Sequence, residues 1–133
     1  MKKVFLDTNV VVYFYTSTEP DKKRKSAELL LQYDCIISTQ VLNELSNVLS
    51  KKYHFSWKEI ASVHSELINV FDVHVVTSLT IAKAIAFAEK YGYSYYDSLI
   101  LSAANETESS ILYSEDFQNG QIIEGMKIVN PFL

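Results

Sequence analysis

Two periodicities alternate along this chain, and that alternation narrows the possible folds more than any other feature. Short strand-like runs occur at Val4-Phe5-Leu6, Cys35-Ile36-Ile37, Ile111-Leu112-Tyr113 and Lys127-Ile128-Val129. Between them lie longer segments whose apolar residues recur three and four positions apart. Runs of the first kind suit strands buried on both faces, and segments of the second kind suit helices with one buried stripe. The stripe Val41, Leu42, Leu45, Val48, Leu49 is the clearest. Helices are also expected over Asp21–Tyr33, from Ser56 to about Val70, over Leu79–Tyr91 and from Ser94 onward. Val73, Val75 and Val76 alternate as a further strand. The polar triplet Asp7-Thr8-Asn9 breaks the first apolar run, so Asn9 to Tyr15, which could be a strand or a short buried helix, is read as a helix. Ser38 or Thr39, Ser56 and Ser94 offer N-caps, and Gly92 offers a helix stop. Strands alternating with helices imply a parallel sheet covered on both faces. No repeat, linker or low-complexity stretch interrupts the pattern, so one domain over 1–133 is expected.

Composition excludes several classes. The chain has 133 residues and is 48% apolar, enough for one core, with only three Gly and two Pro. That argues against disorder and against a turn-rich all-β protein. No run approaches the roughly 20 apolar residues of a membrane span, and the stretch after Met1-Lys2-Lys3 is too short for a secretory signal. Cys35 is the single cysteine. It is read as a small buried hydrophobe in a reducing cytosol, giving a cytoplasmic expectation. The net charge of −4 runs against a nucleic-acid enzyme, which needs a basic footprint. Two basic clusters, Lys22, Lys23, Arg24, Lys25 and Lys51, Lys52, offset this locally. Either cluster also fits a solvated helix face.

Four acids fall at suggestive places. Asp7 follows the first strand and Asp116 follows the strand ending at Tyr113. Ligands of open α/β sheets bind beyond the carboxyl ends of strands, although a turn or an N-cap also explains an acid there. Glu44 sits beside the stripe of Val41, Leu45 and Val48, where a carboxylate is costly unless paired or bound to metal. Asp97 stands three residues after Ser94, as in a capping box with Asp for Glu. The cap explains an acid at that position but not its coincidence with the other three.

These motifs resemble those of PIN domains. Phe5-Leu6-Asp7-Thr8-Asn9 is similar to that family's opening strand and acid. Val41-Leu42-Asn43-Glu44-Leu45 is similar to its second acidic motif and Tyr95-Tyr96-Asp97-Ser98-Leu99-Ile100 to its third. Leu112-Tyr113-Ser114-Glu115-Asp116-Phe117 is similar to its fourth, with Ser114 where many members carry Thr. The tail from Gly120 to Phe132 also resembles bacterial members. The resemblance implies a three-layer α/β/α fold with a central parallel five-stranded sheet in the order 3-2-1-4-5. It implies Mg²⁺- or Mn²⁺-dependent hydrolysis of RNA. It also implies a toxin of the VapC type, a partner antitoxin and a homodimer.

The chemistry of the acids agrees with that implication. Phosphodiester hydrolysis is served by metal ions that acidify water and clamp the transferring phosphate. Mg²⁺ takes oxygen ligands and keeps several waters. The histidines, His54, His64 and His74, have no zinc spacing. Asp7 and Asp97 are assigned as direct ligands, with Asp116 binding directly or through water. Glu44 is assigned to a water or a second ion, orienting the nucleophile. Thr8, Asn9 and Ser114 are the supporting hydrogen-bonding groups. The lysine clusters are the candidate phosphate contacts, and Tyr13, Tyr15, Tyr95 and Tyr96 the candidate stacking residues. Two alternatives stay open. One is a receiver-like or phosphatase-like Mg²⁺ protein, against which Lys127 begins a strand instead of ending one. The other is a PIN-like binding or scaffold module without catalysis.

Overall fold

The computed structural model describes residues 1–133. The elements run β1 (Lys3–Leu6), α1 (Thr8–Tyr15), α2 (Pro20–Gln32), β2 (Asp34–Ser38), α3 (Thr39–Lys51) and α4 (Trp57–Val70). They continue as β3 (Asp72–His74), α5 (Ser78–Tyr91), α6 (Tyr95–Glu106), β4 (Ile111–Tyr113), β5 (Ile122–Ile123) and β6 (Met126–Val129). The helix boundaries follow local chemistry. The Ser38 hydroxyl accepts from the Val41 amide at the start of α3. Ser56 and Glu59 form a reciprocal capping box on α4, and Gly92 ends α5 at φ 76, a conformation that suits glycine.

The sheet order is β3-β2-β1-β4-β6-β5. Its first five strands are parallel and match the expected 3-2-1-4-5 arrangement, with β6 in the fifth place. Phe5 lies opposite Ile36 on one side and Leu112 on the other. Val4, Phe5 and Leu6 are completely buried, as a central strand covered on both faces requires. Right-handed crossovers put α1 to α4 on one face and α5 and α6 on the other. The packing divides the same way, α1 against α2 and α3, α3 against α4, and α5 against α6. No helix is long and apolar enough to cross a membrane.

The structure departs from the expected pattern twice. β3 ends at His74, and Val75 is 61% exposed. There the chain leaves the sheet edge, and the Val76 amide turns to the Thr39 hydroxyl at 3.0 Å. The sheet also gains a sixth strand: β5 pairs antiparallel with β6 through a tight turn at Glu124 (φ 48) and Gly125 (φ 81). Positive φ at both central residues is the geometry that closes a two-residue hairpin.

Candidate active site

Strand order places the site. β1 leads leftward to β2, while β4 is reached on its right, so β1 and β4 flank the point where the winding reverses. The carboxyl ends of such strands leave a crevice. Asp7 is the first residue beyond β1, and its amide donates to the Tyr113 carbonyl at the end of β4 (3.0 Å). The two loops that carry Asp7 and Asp116 are therefore neighbours through the backbone.

Asp7 caps α1: one carboxylate oxygen accepts from the Thr8 amide at 2.7 Å. The other accepts from the Ser114 hydroxyl at 2.7 Å and from the Asn9 side-chain amide at 3.3 Å. The same Asn9 nitrogen donates to Asp116 at 2.9 Å, so one amide ties two of the acids together. The Asn9 carbonyl oxygen accepts the Glu115 amide at 3.3 Å, and the Ser114 hydroxyl accepts the Asp116 amide at 3.1 Å. Asn9 and Ser114 thus both donate to the Asp7 carboxylate. Thr8 contributes its backbone to Asp7. Its hydroxyl is buried without a hydrogen-bond partner, close to the Glu44 carboxyl.

Glu44 and Asp97 arrive from the two helical layers. α3 and α6 meet at this rim, Glu44 lying in the second turn of α3 and Asp97 in the first turn of α6. The Gln40 amide donates to Glu44 at 3.4 Å. The Asp97 amide donates to the Ser94 hydroxyl at 3.2 Å, which is the amide half of the capping box.

The four carboxylates feel one another. Burial pushes Asp7 up to about 6; hydrogen bonds from Ser114 and Thr8 oppose this, and the charges of Asp116 and Asp97 reinforce it. Burial also raises Glu44, to about 7, with Asp7 and Asp97 adding to the rise. Asp97 is raised by burial and by Asp116. Asp7 is only 4% exposed, so little solvent screens it. A buried carboxylate among its own kind stays partly protonated or needs a cation.

The donor set suits a hard cation, being all carboxylate at the centre with hydroxyl and amide groups behind. No three of these side chains converge closely enough to hold an ion as a preformed group. A shell in which Asp7, Asp97 and Asp116 all touch one ion is therefore not ready-made. A hard cation here would rest on one or two direct carboxylates with water completing its shell.

A cavity of about 390 Å³ opens beside the cluster, lined among others by Thr8, Asn9, Glu44 and Asp116. It brings in groups that the sequence reading did not assign to the site, Glu115, Asn47 and Tyr53. Glu115 accepts from the Tyr13 hydroxyl at 2.6 Å and from Lys22 at 2.9 Å. Its adjacency to Asp116 was the one available signal. Of the basic clusters, Lys22 is spent on Glu115, Lys25 donates to the Phe132 carbonyl at 3.3 Å, and Arg24 leans on Asp21 and Glu28. Lys23 is half-buried and Lys51 is exposed. Lys52 lines the cavity. Tyr95 and Tyr96 are exposed beside Asp97, 42% and 62%, and Tyr15 is held by Glu66.

Three comparisons bear on this arrangement. No curated protein sequence matches. Among solved structures, a toxin–antitoxin complex from Klebsiella pneumoniae superposes with a TM-score of 0.73 at 20% identity, covering 96% of this chain and 97% of that one. The VapC20 toxin of Mycobacterium tuberculosis, which cleaves the sarcin–ricin loop, gives 0.70 at 15% identity, covering 85% and 91%. VapBC2 from Rickettsia felis, bound to a promoter DNA fragment, gives 0.66 at 20% identity, covering 95% and 96%. At these identities the likeness is one of fold. The family model for the PIN domain matches residues 4–119, and the chain belongs to the PIN-domain family.

Proposed function

We propose that this protein is a metal-dependent endoribonuclease that hydrolyses RNA phosphodiester bonds at the Asp7, Glu44, Asp97 and Asp116 cluster. The observation that supports the reading is that Asp7, Glu44 and Asp97, brought to one rim from separate elements, are all raised above the ordinary carboxylate range by burial and by one another's or Asp116's charge. Clusters that strain their own ionisation are more common at functional sites than elsewhere.

Asp7 and Asp97 would hold Mg²⁺ or Mn²⁺ directly, with Asp116 binding directly or through water. The bound ion supplies a water of lowered pKa and charge stabilisation for the phosphate. Asn9 fixes the separation of Asp7 and Asp116 by bonding both. Ser114 spends its proton on Asp7, leaving that carboxylate one fixed orientation. Glu44, on the wall of the cavity, would hold a water or a second ion and help to orient the nucleophile.

The reading extends to a toxin restrained by an antitoxin protein. A structural neighbour described as a toxin–antitoxin complex supports this partner. The exposed pair Ile81 and Ile85 on one side of α5 would suit a homodimer contact. To test the activity, single-stranded RNA is incubated with Mn²⁺ and the protein, beside the Asp7→Ala/Asp97→Ala variant. Cleavage by the parent alone is expected. Equal cleavage by both contradicts the assignment.

A further inference from the structure

The cavity beside the carboxylates does not end with them. A second cavity, of about 500 Å³, shares Tyr13, Lys52 and Tyr53 with the first. These three residues therefore form the waist of a groove leading away from Asp116 and Glu44. Tyr13 comes from the last turn of α1 and Tyr53 from the turn after α3. Each ring carries an ammonium over it: Lys22 lies 5.2 Å from the Tyr13 centroid and Lys52 lies 5.5 Å from that of Tyr53. The Tyr13 ring is locked by its bond to Glu115 and by the edge-on contact with Phe132 at 5.2 Å. Lys52 is the only cation lining either cavity, and it joins none of the molecule's ion pairs.

Chemistry narrows the occupant. The tyrosine ring faces that the lysines leave open offer stacking surface to a flat aromatic ring. The Lys52 ammonium, in direct contact with no carboxylate, is free to meet an anion tethered to that ring. A heterocyclic base with its phosphate satisfies both demands. In a duplex the base faces are covered by neighbouring pairs, so the base must be unpaired. We propose that Tyr13 and Tyr53 clamp one unpaired nucleobase of the RNA next to the scissile phosphate, with Lys52 holding an adjoining phosphate. This rests on the nuclease reading above and adds a specificity element to it: a cleavage position set at a fixed distance from one stacked base.

The test uses the Asp97→Asn protein, so that RNA stays intact, with Mg²⁺ present. Binding of a short single-stranded RNA is compared with binding of strands carrying one abasic position, scanned along the sequence. One position should cost about ten-fold in Kd, the scale of a lost base–aromatic stack. Tyr53→Ala should weaken the intact strand by a similar factor and flatten the scan, whereas Tyr53→Phe, which keeps the ring, should not. Lys52→Ala should reduce the salt dependence of binding by about one phosphate contact. A flat scan with the parent, alongside RNA binding unaltered by Tyr53→Ala, would leave the groove to a protein occupant and overturn the clamp. In that case the nuclease reading stands on its own cleavage assay. Absence of any RNA binding or cleavage removes both.

Discussion

One helix carries two acids with opposite fates. Asp97, in the first turn of α6, is raised by burial and by the charge of Asp116. Glu106, at the last residue of the same helix, is also pushed up by burial, but Thr80, His74 and Lys83 outweigh this and hold it below the usual range. His74 lies 3.1 Å from the Glu106 carboxylate and joins the edge strand β3 to the helix end. The structural acid has been given partners, while the rim acids have been given one another. Asp7 receives hydrogen bonds from Thr8 and Ser114, yet neither neutralises it and no cationic side chain bonds it. Structures accept such an arrangement where function requires it.

The largest expected difference between the two ends is in activity. Asp97→Asn is expected to lower RNA cleavage by about 10²-fold or more, the scale of losing a catalytic charge or proton-transfer group. Glu106→Gln should leave the cleavage rate unchanged. Comparable losses in both variants, measured on single-stranded RNA with Mn²⁺, would dissolve the distinction.

The next difference is in how stability depends on pH. Folding raises Asp7 from 3.8 to about 6, so the folded state binds the proton more tightly. In metal-free protein its contribution is fully present below the unfolded value and is lost as pH rises toward 6. From Asp7 alone the loss is on the order of 3 kcal/mol. Glu44, raised to about 7, extends the decline toward neutrality. Glu106 runs the other way: its stabilisation is present above the ordinary carboxylate pKa and fades as pH falls through its lowered value. Urea denaturation in EDTA across this window should show stability falling between pH 4 and pH 7, and Asp7→Asn should flatten the fall. An unchanged slope in the variant would place the strain elsewhere.

A smaller and purely structural effect sharpens the contrast. Ser56→Ala breaks the capping box of α4 and is expected to cost about 1 kcal/mol without changing RNA cleavage. An activity loss as large as its stability loss would mean that the site depends on global stability rather than on local charge.

Much of this comparison can be read in the sequence, for reasons that vary by residue. Asp7 and Asp116 follow apolar runs whose end is unmistakable, so their position at the carboxyl rim follows from the parallel sheet. Glu44 betrays itself by flanking a buried stripe. The Ser94 cap hides Asp97, because a helix start alone accounts for an acid there; only the order of all four motifs separates the roles. β5 is two residues long, too short for any periodicity, and its turn uses Glu124-Gly125 instead of the commoner Asn-Gly or Asp-Gly. Val75 extends the alternating pattern past the true end of β3, because alternation does not report where an edge strand loses its partner. The Lys22–Glu115–Tyr13 network joins residues 93 and 102 positions apart, and no local pattern encodes such a meeting.

The central claim is that four carboxylates form one cation-holding site. Calorimetric titration of Mn²⁺ into the metal-free protein at neutral pH, with the Asp7→Asn variant alongside, addresses it most directly. The account predicts saturable binding to the parent at millimolar Mn²⁺ or below, with proton release as the raised carboxyls ionise, and marked weakening in the variant. Binding that is absent from the parent, or equal in the two proteins, would contradict it.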